Sequence, residues 1–292
     1  VTFSQAAGPE AKAELTFSIS TGSLNPLTYG YSVGNTVTCT IKNDGNVTLN
    51  NVEAVLEEDS AFQLTGTTSW DRIAPKDSVD VTVTFLAGKP AGDYIATLSA
   101  TVNEVEGKLG GISLTQTVTP KEIAVVWTGD SDGDFSWVYT GSEIKPSASV
   151  NQGDLVNGDT VEVSVSGGGM NAGDYTATAS TTNTNYTLTN DTQLFTITKV
   201  PRTIPAPAQS SVSKNTVTLT PVTPSAGEND GTVEYGCATD ESGTDNRWQA
   251  SPTFTGLEPT TTYYFFARVT GGANYQDATS AGAPITTTNK DP

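Results

Sequence analysis

The amino-acid sequence predicts an all-β protein built as three consecutive β-sandwich domains in an elongated array. Three observations point there. Apolar residues alternate with threonine, serine or aspartate at period two in run after run, with turn-forming residues between the runs. No stretch carries the 3.6-residue apolar period of an amphipathic helix; "AAGPEAKAEL" (Ala6 to Leu15) is short, contains a proline and reads as a tail. The length, 292 residues, suits two or three domains of roughly 100–150 residues each.

The elements follow in order. After a tail over 1–12, the first domain is expected over 13–119. Val37, Cys39 and Ile41 alternate with Thr38 and Thr40, and after the turn-prone "KNDGN" come Val52, Ala54 and Leu56. Val79, Val81, Val83 and Phe85 form the next inward set, and Tyr94, Ala96, Leu98, Ala100 and Val102 the one after the turn "GKPAGD". The middle domain is expected over 120–199, opening with "KEIAVVW", placing Val161, Val163 and Val165 in one phase, and closing with "QLFTITK". The proline-spaced "VPRTIPAPA" (Val200 to Ala208) reads as a stiff, extended linker or edge strand at the start of the third domain, 200–292. There Val217 and Leu219, then Val233, Tyr235 and Cys237, then Tyr263, Phe265, Ala267 and Val269 face one core.

Composition excludes several functions. Hydrophobic residues make up 35 % of the chain, and the net charge is −18, from 32 acidic and 14 basic residues. Such a polyanion repels nucleic acid and anionic membrane surfaces, and no run approaches the 18 or so apolar residues of a membrane span. Histidine is absent, which removes the commonest general base and transition-metal ligand. There is no phosphate-binding loop, and no carboxylate pair stands out as a catalytic dyad. The expectation is a non-enzyme without cofactor, monomeric, and a piece of a longer extracellular protein, since it starts at Val1 without a leader.

Cys39 and Cys237 cannot form a disulfide framework; each falls on an inward strand phase and reads as a small buried hydrophobe. Asp130, Asp132 and Asp134 alternate in "GDSDGDFSW" like the first half of a calcium loop, but Phe135 and Gly141 stand where that loop needs glycine and glutamate. The alternative is an ordinary acidic turn. Tyr264 and Phe266 fall on the outward phase of their strand, and with Trp248 they could stack on a glycan or meet a host surface protein. The alternative is cross-strand pairing that covers one sheet face. Trp127, Trp137 and Tyr139 read as core.

One phrase is written twice. Ala-Gly-Asp-Tyr begins at Ala91 and again at Ala172, each copy running into an alternating strand. In immunoglobulin-type sandwiches a tyrosine at this place bonds back to upstream backbone and pins the corner between sheets. Tyr94 and Tyr175 fit that structural role, as does Tyr263 after "LEPTT", with Gly92 and Gly173 supplying the turn conformation.

"GLEPTTTYYFFARV" (Gly256 to Val269), preceded by "VEYGCATDESGTDNRWQASPTFTGL", resembles fibronectin type III domains over about 203–288. "VYTGSEIKPSASV", "NAGDYTATAS", "NYTLTND" and "FTITK" resemble the bacterial adhesin repeat called the MBG domain over about 120–199. "VTCTIKNDGNVTLNNVEAVL" and "IAPKDSVDVTVTF" are similar to bacterial immunoglobulin-like domains. These resemblances imply a non-catalytic stalk of a Gram-positive cell-surface or secreted adhesin-type protein. The rival expectation is a glycan- or host-protein-binding module acting through the third domain, accessory to a secreted carbohydrate-active enzyme.

Overall fold

The computed structural model describes residues 8–57, 61–156 and 158–289; the first seven residues of the expected tail lie outside the described residues. Among the described residues there is no α-helix, only one 3-10 turn at Gln152–Asp154. The rest of the regular structure is strand, so the protein is all-β.

The first segment contains β1 (Leu15–Gly22), β2 (Leu27–Thr28), β3 (Thr36–Asn43), β4 (Leu49–Glu57), β5 (Phe62–Thr65), β6 (Ser69–Ile73), β7 (Ser78–Phe85), β8 (Gly92–Val102) and β9 (Val105–Thr119). They form two sheets, ordered β1-β3-β7-β5 and β2-β9-β8-β4-β6. Cys39 lies opposite Val81 and Val37 opposite Val83, so the inward residues of neighbouring strands coincide. Val37, Cys39, Ile41, Val83 and Phe85 from one sheet meet Leu49, Leu98, Ala100 and Leu114 from the other in a single buried core. Each large side chain there contributes on the order of 1.5–3 kcal/mol by leaving water. The threonines at alternate positions stand on the outer face, where Thr36 and Thr84 share a hydroxyl hydrogen bond and Thr40 donates to Asp80.

The middle segment contains β10 (Lys121–Thr128), β11 (Ser136–Val138), β12 (Ser147–Val150), β13 (Ser164–Ser166), β14 (Gly173–Ser180), β15 (Tyr186–Thr189) and β16 (Thr192–Thr198). Its sheets are β12-β10-β15 and β11-β16-β14-β13. The third contains β17 (Gln209–Val212), β18 (Thr216–Leu219), β19 (Thr232–Ala238), β20 (Arg247–Gln249), β21 (Thr253–Thr255), β22 (Thr262–Thr270), β23 (Ala278–Thr279) and β24 (Ala283–Thr286). Its sheets are β17-β18-β21 and β20-β19-β22-β23, with β24 also paired to β22. Val217, Leu219 and Phe254 of the smaller sheet pack with Tyr235, Phe265, Ala267 and Val269 of the larger.

By packing, the chain resolves into two compact units. One comprises Val1–Val125, Ser149–Val163 and Ser180–Asn190; the other comprises Val126–Ala148, Ser164–Ala179 and Asp191–Pro292. The middle segment contributes two small cores, one to each unit. In the first unit, Ile123, Val150, Val161 and Tyr186 form a cluster completed by Tyr29 of the first segment. In the second, Ala177, Phe195 and Ile197 are covered by Trp127, Trp137 and Tyr139. The expected common phase of Val161, Val163 and Val165 is divided accordingly, the first two packing in one cluster and Val165 in the other.

Both cysteines are free; Cys39 is fully buried, whereas Cys237 is half-buried, short of the burial its strand phase implied. Burial pushes the Cys39 thiol up. Cys237 is pushed up to about 11 by burial, then by Asp245, against the opposing charge of Arg247. In the native protein a thiol reagent should therefore reach Cys39 only on unfolding. Cys237 should react slowly at pH 8 and about tenfold faster per pH unit up to pH 10, as its thiolate fraction grows. Prompt labelling of Cys39 before unfolding would contradict its place in the core.

Candidate functional site

The duplicated corner is the most regular chemistry in the chain. Gly92 and Gly173 take φ of 153° and 156°, a conformation that favours glycine, and so turn each copy the same way. The Tyr94 hydroxyl then donates to the Pro90 carbonyl at 2.9 Å, and the Tyr175 hydroxyl to the Asn171 carbonyl at 2.9 Å. Asp93 accepts from the Thr117 hydroxyl at 2.6 Å, and Asp174 from the Thr196 hydroxyl at 2.7 Å. The rings rest on core aromatics, Tyr94 at 5.2 Å from Phe85 and Tyr175 stacked at 5.4 Å on Phe195. The third corner differs in direction: the Tyr263 oxygen accepts from the Glu258 N–H at 3.0 Å.

Each duplicated corner adjoins a place where the chain passes from one segment to the next. In the first unit β2 runs parallel to the end of β9, and the Tyr29 N–H donates to the Thr119 carbonyl at 2.8 Å. In the second unit β11 runs parallel to the end of β16, and the Tyr139 N–H donates to the Thr198 carbonyl at 2.9 Å. Thr119 and Thr198 each donate a hydroxyl back to the partner strand, to Leu27 and to Trp137, both at 3.1 Å. Tyr29 then meets Tyr186 edge-on at 5.6 Å, and Tyr139 meets Tyr275 edge-on at 5.8 Å.

The two aromatic pairs are held differently. Asp159 accepts both hydroxyls of the first pair, from Tyr29 at 2.9 Å and Tyr186 at 2.6 Å. Burial first, and then the Asp159 hydrogen bond, push Tyr186 up to about 12. Tyr275 instead lies under the buried guanidinium of Arg202, which donates to the carbonyls of Gln276, Gly227 and Asp230. Asp230 accepts the N–H groups of Ala273, Asn274 and Tyr275 at 2.6, 2.7 and 2.9 Å. Burial raises its carboxyl, but those N–H groups and Arg202 outweigh it and leave it below the usual carboxylate range.

The other sequence candidates fare unequally. Asp130 accepts the N–H groups of Asp132 and Asp134, both at 3.0 Å, so its carboxylate shapes the turn. Among the described residues no group of three or more His, Cys, Asp or Glu is placed to hold a metal, Asp130, Asp132 and Asp134 included. The same turn spells Gly-x-Ser-x-Gly at 129–133. Ser131 is exposed on the turn, not at a strand-to-helix elbow, and the chain has no histidine to serve it as base.

Phe266 is a correction. It lies on the outer side of β22 as expected but is only 5 % exposed. The loop after β19 folds over it: a Cβ on Gly243 would come within 2.9 Å of its ring, and one on Gly282 within 2.8 Å. Asp240 shapes that loop by accepting the N–H groups of Ser242 and Gly243 and the hydroxyl of Thr244. Trp248 and Tyr264 are half-buried. The Trp248 ring face is occupied by the Arg268 guanidinium at 4.3 Å, which is also bridged to Glu234 at 2.7 Å. Trp127, Trp137 and Tyr139 pack against the small middle cluster.

No protein-family model matches the chain, and no curated protein matches it. Among solved structures it is similar to protocadherin gammaB7 EC3-6 at 12 % identity and a TM-score of 0.36, covering 94 % of this chain and 77 % of that one. It is also similar to the FN1-FN3 domains of chicken CNTN1 at 10 % identity and a TM-score of 0.24, covering 96 % and 100 %. A FixG-related protein from Vibrio parahaemolyticus matches at 10 % identity and a TM-score of 0.28, over 36 % of this chain and 95 % of that one. Likeness at these TM-scores carries nothing about function; the architecture stands on the strands and cores described above.

Two outcomes follow from this geometry. Tyr94→Phe and Tyr175→Phe each remove the corner donor and should cost about 0.5–1.5 kcal/mol, read as a lowered melting transition. If neither variant moved the transition, the corner bonds would have no energetic role. Tyr186 gives a pH dependence. Its folded pKa lies above the ordinary 10.0, so as pH rises the unfolded chain ionises first and holds fewer protons. The stabilisation is full below pH 10 and is lost between about pH 10 and 12. Tyr186→Phe should flatten that part of the alkaline unfolding curve; an unchanged curve would assign the loss to other groups.

Proposed function

We propose that the chain is a non-catalytic extracellular spacer, a run of tandem β-sandwich modules within a bacterial, Gram-positive, cell-surface adhesin-type protein. The middle module would be of the MBG kind and the third of the fibronectin type III kind. The observation that carries this reading is the repetition of one construction at successive segment borders. The same parallel strand pair, threonine bond, tyrosine pair and corner occur in each unit. Repetition of a border suits a chain whose task is to string modules together. The absence of histidine from the sequence, the commonest general base, favours the non-catalytic part. Among the described residues no helix is long and apolar enough to cross a membrane.

The binding-module reading draws less support, because Phe266 is covered and Trp248 already faces Arg268. A broad glycan array together with a panel of extracellular host proteins separates the two. A spacer gives no saturable binding at micromolar concentration. Saturable binding that is lost in Trp248→Ala would replace the spacer reading with recognition through the third module.

A further inference from the structure

We infer that the Ala-Gly-Asp-Tyr corner is a docking socket, and that its ligand is the side-chain carbonyl of an asparagine in the module that follows. This rests on the spacer reading and names the contact that joins its modules. In the first unit the Ala91 N–H donates to Asn185 Oδ1 at 2.8 Å. In the second unit the Ala172 N–H donates to Asn274 Oδ1 at 2.8 Å. Both bonds are partly buried, and they connect residues 94 and 102 positions apart.

The asparagine is held alike from its own side. Its main-chain carbonyl accepts the N–H of the residue that leads out of the preceding module, Lys121 at 2.9 Å in one case and Val200 at 2.9 Å in the other. The next residue is a tyrosine in both, paired in parallel with that same linker residue, Tyr186 with Lys121 and Tyr275 with Val200. That tyrosine is the one that meets Tyr29 or Tyr139. An Asn-Tyr dipeptide thus presents both carbonyls and a ring edge to a corner, a linker and an aromatic shelf. Asn-Tyr occurs in the sequence at these two places and nowhere else, as Ala-Gly-Asp-Tyr does.

The third corner is the internal contrast. There the sequence is Pro259-Thr260-Thr261, and the N–H groups are satisfied at home. Thr260 donates to the Thr288 carbonyl at 3.4 Å, and Thr261 donates to the Thr287 hydroxyl oxygen at 3.0 Å. The two corners that hold a following asparagine leave an alanine N–H open for it; the corner that holds none closes its own. A corner N–H needs an acceptor once water is excluded, so a module carrying this phrase selects a neighbour able to supply one.

The test is amide hydrogen exchange on the full chain, comparing the wild type with Asn185→Ala and Asn274→Ala. Asn185→Ala should speed exchange at Ala91 at least about tenfold and leave Ala172 unmoved, while Asn274→Ala should do the reverse. Asn185→Asp and Asn274→Asp keep an acceptor oxygen and should keep the protection, which covers the case of an alanine variant that folds poorly. Unchanged exchange at both alanines, or acceleration at both in either single variant, would overturn the socket. So would loss of protection in the aspartate variants. A saturable ligand on the array would remove the spacer reading without altering these exchange rates, so the two failures are distinguishable.

Discussion

A corner N–H turned out of a sheet must find an oxygen, and much of this chain is organised by how that requirement is met. Glycine at φ near 155° lets the strand leave the turn, and the tyrosine hydroxyl returns to the carbonyl four residues upstream. The aspartate between them accepts a threonine from the neighbouring strand. The alanine N–H donates to an asparagine of the segment that follows. The corner therefore links local turn chemistry to the joining of segments.

The second constraint is core size. The first segment gathers inward residues from nine strands into one cluster. The middle segment has two small clusters, one completed by Tyr29 and the other walled by Trp127, Trp137 and Tyr139. Short strands and many glycines limit what it buries. Its halves accordingly group with different neighbours, and the aromatic shelves at its borders add apolar area that its own strands lack.

Strand phase was legible wherever a strand has one core face and one solvent face. Val81, Val83 and Phe85 are buried as their alternation requires, and so are Ala96, Leu98 and Ala100. The same rule fails for Phe266, because a loop shaped by Asp240 lies over the outer face and removes the solvent that the rule assumes. It fails more mildly for Cys237, which is half-buried. Trp248 looks like an open platform in the sequence because Arg268, the cation that occupies it, is twenty residues away and meets it only across paired strands. The alternation of Asp130, Asp132 and Asp134 suggests a cation site, whereas the turn uses Asp130 to accept main-chain N–H groups.

By itself the sequence determined the all-β class, the inward residues of the long strands, the free state of two thiols on separate strands and the existence of a repeated corner. Each of these follows from local rules: period two, turn residues, and the φ that only glycine takes readily. Tertiary structure alone decided what the corners hold. The duplicated Ala-Gly-Asp-Tyr is visible in the letters, and so is the duplicated Asn-Tyr, but nothing local connects residues 94 and 102 positions apart. Their pairing arises because the parallel strand at each border brings the following asparagine to the alanine N–H of the corner. Hydrogen-bond need is written locally; the oxygen that meets it is chosen by the fold.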